Sequence, residues 1–408
     1  MKIKNIIALL SLGLSSAVTA NMLAQHSYIY KDARIMGMGG ANTAVGGYST
    51  SLFYNPAGLA KLKKSHGFEV EVLGLGVSAS DNYIKFSNDV QDALDIEDET
   101  EQTNAFVKLI DDNSGVIYHA DVSNYSSLSR NNDLFAWSVG LLTAVDNNYM
   151  THDNFGTPNG MLSIEARGYA GLVGGVAKRF KVPGGTLDVG LGAKYFYNES
   201  IQKNLTVSEI IDLPDDFVEE NLHESSAGAV DLGVSYTTFR SSKFPTTFAV
   251  SLLNIGGLNF DTKEHIFLDA NATNETDPYG NNPMTLNFGV AVNLDVRWAE
   301  HLLLTMDYVD ALNANTYTLY ETNGQTEYEE SDFMKRLRLG ASYGVIDNSW
   351  FLLTLNAGMY QSSYTAGLDM QLTIVKLSLA TYAEELGLTG SDTSTTDRRY
   401  MANIGIGW

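Results

Sequence analysis

Histidines are the first residues to test for chemistry, and the chain has seven: His26, His66, His119, His152, His223, His265 and His301. None forms a His-x-x-x-His or His-x-Glu pair, and none lies beside a nucleophile motif, so nothing converges as an active site should. The run Gly37-Met38-Gly39-Gly40 invites a phosphate-loop reading. That motif needs a strand before it and a βαβ unit around it, and neither is present. Acidic clusters at Asp92, Asp95, Glu97, Asp98, Glu99 and Glu101, and again at Asp215, Asp216, Glu219 and Glu220, offer oxygens of the kind Mg²⁺ and Ca²⁺ prefer. They lack EF-hand spacing and read as solvated loop charge. The absence of cysteine removes disulfides, thiolate metal sites and lipoprotein anchoring together. The formal charge of −22 argues against a nucleic-acid partner. Catalysis, a metal site and a cofactor are therefore not expected.

The elements that carry these residues are strands. From Met284 to Leu294 every even position is large and apolar, and every odd position is small or polar. The last segment repeats the pattern, with Tyr400, Ala402, Ile404, Ile406 and Trp408 on one face and Arg399, Met401, Asn403, Gly405 and Gly407 on the other. Lipid outside and a wet or plugged lumen inside would suit such strands, but a soluble sandwich also alternates. Three further features favour a barrel.

About fourteen strands fit, an even number that brings both ends to one side. They lie near 67–79, 115–127, 133–147, 161–179, 185–198, 224–239, 246–256, 284–295, 300–311, 333–344, 350–360, 363–373, 375–384 and 397–408. Links near 129–132, 180–184, 240–245, 295–299 and 344–349 are short, whereas those near 80–114, 199–223, 257–283, 312–332 and 385–396 are long. Transmembrane barrels alternate in this way and sandwiches have no reason to. Aromatics also sort by depth: Trp137, Trp298, Trp350 and Trp408 at the short-turn ends, and Tyr149, Tyr197, Tyr308, Tyr360, Tyr364 and Tyr382 near the opposite ends. This predicts two interfacial belts. All seven prolines lie outside strand interiors, where a missing N–H would break the ladder. The expected fold is all-β, a transmembrane antiparallel β-barrel of about fourteen strands with an N-terminal hatch (plug) and helical extracellular loops.

Charge follows strand parity. Asp188, Lys194, Asp231, Asp307, Arg336, Arg338, Asp369, Lys376 and Arg399 all fall on the small, polar face. A charge facing lipid at mid-depth costs about 2–4 kcal/mol, so these side chains are expected in the lumen, where mixed signs predict ion pairs bracing the wall. Residues 1–20 read as an export signal: Lys2 and Lys4, an apolar core from Ile6 to Leu14, then small residues ending at Val18 and Ala20. Asn21 is the expected mature N-terminus, with Ala24 the alternative. The domain reading is then signal 1–20, hatch 21–65 and outer-membrane barrel 66–408.

The hatch segment is glycine-rich and poor in charge. Asn55-Pro56 fits a helix start, with Asn as N-cap and Pro at the first helical position, and a short helix is expected from Pro56 to Leu62. The stretches Ala33-Arg34, Met36-Gly-Met-Gly-Gly-Ala41 and Leu52-Phe-Tyr-Asn-Pro-Ala-Gly-Leu59 resemble the N-terminal hatch of FadL-type outer-membrane proteins. That superfamily includes TodX-like aromatic-hydrocarbon transporters, PorV-like secretion accessory barrels and a branch annotated conjugal transfer protein TraF. The acidic helical stretch after the first strand is most similar to the TraF branch. For FadL the resemblance implies a hatch-plugged barrel whose apolar ligand enters from outside and leaves through a lateral gap. Carried across, the hatch motif is Gly37, Gly39, Gly40, Asn55, Pro56 and Ala57, with the last three near that gap.

Two long loops carry apolar residues at helical spacing: Val90, Leu94, Phe106, Leu109 and Ile110 in one, Ile210, Ile211, Leu213, Phe217, Val218 and Leu222 in the other. Such helices would either enclose an apolar groove, making Phe106, Leu109, Ile110, Ile210, Phe217 and Val218 ligand-facing, or pack on each other and lid the barrel. Two functions follow as expectations. One is passage of hydrophobic small molecules across the outer membrane. The other is an accessory barrel of a conjugation or secretion apparatus, binding envelope proteins. Outer-membrane lipid and lipopolysaccharide, the latter through divalent bridges to the acidic loops, are the expected surroundings.

Overall fold

The computed structural model describes residues 28–64, 67–114, 116–132, 134–151, 162–213, 217–238, 244–260, 281–294, 301–312, 314, 316–321, 324–329, 332–348, 350–386, 394 and 396–408. The expected export signal, His26, His66, His152, His265 and Trp298 lie outside them.

Sixteen strands are described in chain order. They are β1 (Glu69–Ser80), β2 (Ile117–Asn131), β3 (Ala136–Thr151), β4 (Leu162–Val182), β5 (Gly185–Leu205), β6 (His223–Thr238), β7 (Thr246–Ile255), β8 (Thr285–Leu294), β9 (Leu302–Tyr308), β10 (Thr316–Glu321), β11 (Gly324–Glu329), β12 (Leu337–Asp347), β13 (Phe351–Tyr360), β14 (Ser363–Leu372), β15 (Val375–Glu385) and β16 (Thr396–Gly407). Fourteen close into one antiparallel barrel, β1 pairing with both β2 and β16, while β10 and β11 form a separate hairpin within the predicted 312–332 loop. Each of the fourteen expected segments is a barrel strand. Closure leaves no unpaired edge, which a chain in hydrocarbon requires.

The outward face is apolar. Val139, Leu172, Leu191, Leu232, Leu304 and Leu355 are all exposed there. Wall height varies around the barrel, from β4 and β5 at 21 residues each to β9 at 7. The described prolines obey the ladder: Pro183 sits in the turn between β4 and β5, while Pro245 and Pro283 lie just before β7 and β8.

Two expectations need correction. Residues Phe333–Arg336 form one helical turn capped by Asp332, so β12 starts at Leu337 and Arg336 is not a strand residue, although it is buried. The link between β13 and β14 is the two-residue turn that the expected strands 350–360 and 363–373 leave, with Gln361 and Ser362 at φ +48° and +67°. The tyrosine belt is also only partial. Tyr364 is exposed, but Tyr360 and Tyr382 point inward, sharing parity with Asn356 and Ala380. Tyr149 is buried for another reason: it lies on the outward face but is covered, as described next. Trp350 and Trp408 are exposed at the short-turn rim as expected.

The long loop after β1 forms two helices, Tyr83–Leu94 and Glu99–Asp112, the second capped by Asp98, whose side chain accepts from the Thr100 and Glu101 amides. The loop after β5 adds two short helices, Val207–Ile211 and Phe217–Asn221. Their apolar faces meet in one cluster with Tyr118, Tyr149, Ile164 and Leu205. By strand parity those four wall residues match the exposed Val122, Val139, Leu172 and Leu191. The helices therefore fold over the outside of the tall wall and bury apolar surface that rises above the lipid-facing band.

Candidate binding chamber above the hatch

The hatch fills the lumen. Asp32 caps a five-residue helix, Ala33–Gly37, by accepting from the Arg34 amide, and the chain then turns through Gly39 and Gly40 at φ +68° and +74°. A side chain at Gly39 would be strained by that backbone and would stand 2.2 Å from the Leu339 carbonyl oxygen. Asn55 accepts from the Ala57 amide (3.0 Å) and donates to the Thr43 carbonyl (2.8 Å), with Pro56 at the first helical position. The turn that follows is 3-10 and ends at Lys61, tighter and shorter than the expected helix. Tight winding suits the space: a Cβ on wall residue Gly190 would lie 2.3 Å from the Ala57 nitrogen, and one on Gly233 1.9 Å from Asn55 Oδ1.

Wall groups hold the hatch by named contacts. Asp307 Oδ2 accepts from the amides of Asn42 (2.7 Å) and Thr43 (2.6 Å). Glu384 pairs with Lys31 at 2.8 Å, Asn403 accepts from the Ala33 amide, and Thr365 donates to the Gly37 carbonyl. Within the hatch itself, Lys61 donates to the carbonyls of Ala44 (2.5 Å) and Val45 (2.8 Å), and burial lowers the pKa of its ammonium to about 8.

The other interior charges form separate braces. Arg179 grips Asp188 with two bonds (2.6 and 2.7 Å), Arg399 meets Asp397 at 2.6 Å, and Lys194 pairs with Asp231 at 3.0 Å. Arg338 lies over the Tyr360 ring, 4.0 Å from its centroid, and Arg336 donates to the Asp310 carbonyl. Lys376 faces Glu71 at 3.6 Å and Asp369 accepts from Asn356. All of the predicted lumen charges are thus inside, but in contacts spread around the wall rather than as one site.

Between the hatch and the low wall lies a cavity. It is lined by Tyr28, Ile29, Tyr30 and Phe53 from the hatch, by Lys194 of β5, by Leu253 and Asn254 at the end of β7, and by residues flanking β8 and β9 that include Val309 and Asp310. Tyr30 packs on Phe53 and Tyr125, with centroids 4.9 and 5.5 Å apart. Of the predicted site residues only Lys194 reaches it. Phe106, Ile110, Ile210 and Phe217 are buried in the outer cluster with Leu109 at its edge, and Val218 lies in the helix Phe217–Asn221. Sequence reasoning missed Tyr28, Tyr30, Lys31 and His119. His119 is fully buried in the tall wall, 2.8 Å from Asn148 and 3.0 Å from Asp121. Strand parity carried a usable signal for His119, which shares a face with Asp121 and Ser123.

Fold and hatch together define a closed fourteen-strand antiparallel β-barrel plugged by its N-terminal segment. The chain belongs to the family described as F plasmid transfer operon, TraF, protein, whose model matches residues 52–357. No curated protein sequence matches it significantly. Among solved structures, a mutant of the TodX monoaromatic hydrocarbon channel aligns with TM-score 0.51 at 10% identity, covering 92% of this chain and 98% of that one. The toluene transporter TbuX of Ralstonia pickettii gives TM-score 0.50 at 10% identity, with 93% and 98% covered. The CymD monoaromatic hydrocarbon channel gives 0.50 at 11% identity, with 94% and 98% covered. Likeness at such identity concerns the fold.

Proposed function

We propose that this protein sits in the outer membrane, both ends on the periplasmic side after removal of residues 1–20, and passes small hydrophobic molecules inward. The chamber carries this reading: Tyr30, Phe53, Leu253 and Val309 give an apolar lining at the head of the hatch, inside a barrel whose belt is itself apolar. Similarity in fold to channels for monoaromatic hydrocarbons supports it. In this reading the hatch motif, Gly37, Gly39, Gly40, Asn55, Pro56 and Ala57, seals the axis. The wall beside Asn55–Ala57 is unbroken, β5 and β6 pairing from Gly185↔Thr238 to Ser200↔His223, so a lateral exit does not lie there in this state. The test is uptake of radiolabelled alkylbenzenes by proteoliposomes. Entry above that of empty vesicles is expected, and equal rates overturn the reading.

A second reading, an accessory barrel of a conjugation apparatus, is favoured by one observation. The apolar faces of the loop helices are used up against the wall, leaving an acidic outer surface in place of an open apolar groove. Co-purification of envelope proteins with an intact barrel that admits no alkylbenzene would favour it.

A further inference from the structure

The chamber also narrows the class of ligand, an inference that rests on the proposed function. β7 bulges opposite Asp231: Leu252 pairs with Leu232 and Ile255 with Val230, so Leu253 and Asn254 together face one residue of β6. A bulge re-aims side chains, and here both Leu253 and Asn254 line the cavity. Asn254 sits at φ +53°, a region Asn tolerates better than most residues. Its amide donates to Asp231 Oδ1 (2.7 Å) and its Nδ2 to the Pro283 carbonyl (3.2 Å). This fixes Asn254 Oδ1 2.8 Å from Lys194 Nζ, which also stands 3.0 Å from Asp231 Oδ2.

An ammonium has three N–H donors; Asn254 Oδ1 takes one, and Asp231 Oδ2 balances the charge at ion-pair distance without a hydrogen bond. A donor is therefore left for whatever fills the cavity. It asks for an acceptor, and the local charge says which kind. Asp231 already neutralises Lys194, so an incoming carboxylate would be buried beside a cation whose charge is already matched. A pure hydrocarbon would leave the donor unmatched, which is unfavourable in a dry site. Free volume is about 60 Å³, below the ~150 Å³ that accommodates benzene, so the cavity encloses the polar end of a ligand and not a whole ring.

We propose that the chamber binds neutral, oxygenated apolar molecules (ketones, alcohols or esters), with the oxygen accepting from Lys194 Nζ and the apolar body lying on Tyr30, Phe53 and Leu253. Calorimetric titration of the detergent-solubilised full chain with ethylbenzene, acetophenone and benzoate tests it. Acetophenone should bind about tenfold tighter than ethylbenzene, the size of one hydrogen bond from a charged donor, and also tighter than benzoate. The double variant Lys194→Met/Asp231→Asn, which leaves no unpaired charge, should erase the gap between acetophenone and ethylbenzene. Leu253→Trp, which fills the cavity, should weaken acetophenone. Ethylbenzene binding as tightly as acetophenone, benzoate binding tightest, or a gap that survives the double variant overturns this inference while leaving transport standing. If none of the three binds to a barrel that keeps heat-modifiable mobility, both readings fall.

Discussion

Asp307 reaches from β9 into the hatch and accepts two of its amides, those of Asn42 and Thr43. Alanine there leaves two buried donors without partners, a loss of about 1–3 kcal/mol for each. Asp307→Ala should therefore expose the hatch to limited proteolysis while the barrel keeps its heat-modifiable mobility, and Asp307→Asn, which retains an acceptor, should do so less. Equal protease resistance of wild type and Asp307→Ala would refute the anchoring role. Lys61 gives a pH dependence of definite sign. Burial lowers its ammonium from 10.5 to about 8, so between those values the unfolded chain holds more protons than the folded one, and stability rises as pH climbs through that window. Below about 8 both states are charged and the full penalty applies. Thermal unfolding of wild type against Lys61→Met should show the difference between them shrinking from pH 8 to 10.5, and a constant difference would contradict it.

Close approach of hatch and wall belongs to the scale of elements. Gly190 and Gly233 stand at the two strands nearest Asn55–Ala57, where any Cβ meets hatch atoms. Gly190→Val should displace the hatch at about 1–3 kcal/mol, the usual toll of overpacking, and raise single-channel conductance in planar bilayers. Unchanged conductance and melting would mean that the hatch does not seat there. The loop helices behave as a cover for the tall wall. Phe106→Ala, about 3–5 kcal/mol for a buried aromatic, should strip hydrogen-exchange protection from residues 83–112 without altering the response to apolar ligands. A ligand response lost with Phe106 would restore the groove reading.

At the scale of the whole molecule, closure and plug are separable. Ring closure depends on β1 meeting β16, where Val70 and Trp408 exchange both backbone hydrogen bonds at 2.9 Å. Deleting residues 28–64 removes the contacts that fill the lumen but no barrel strand, so the shortened chain should insert and conduct ions where the intact chain is closed. A silent barrel after deletion would show that something other than the hatch blocks the axis.

Strand number and inward charge were legible in the amino-acid order because lipid enforces a period of two: Asp188, Lys194, Asp231, Arg338 and Arg399 had one face open to them, whatever the details of pairing. The hatch was legible through Asn55-Pro56, a cap whose chemistry is local. Partners were not. That Lys194 meets Asp231 and Asn254, that Arg336 leaves the strand for a helical turn, and that Tyr149 is covered while Tyr360 turns inward all depend on wall height, bulges and register. Periodicity along one strand carries no information about which residue stands across from it. The chamber itself arises where a bulge in β7 meets the aromatic start of the hatch, segments far apart in the chain, and only closure of the barrel brings them together.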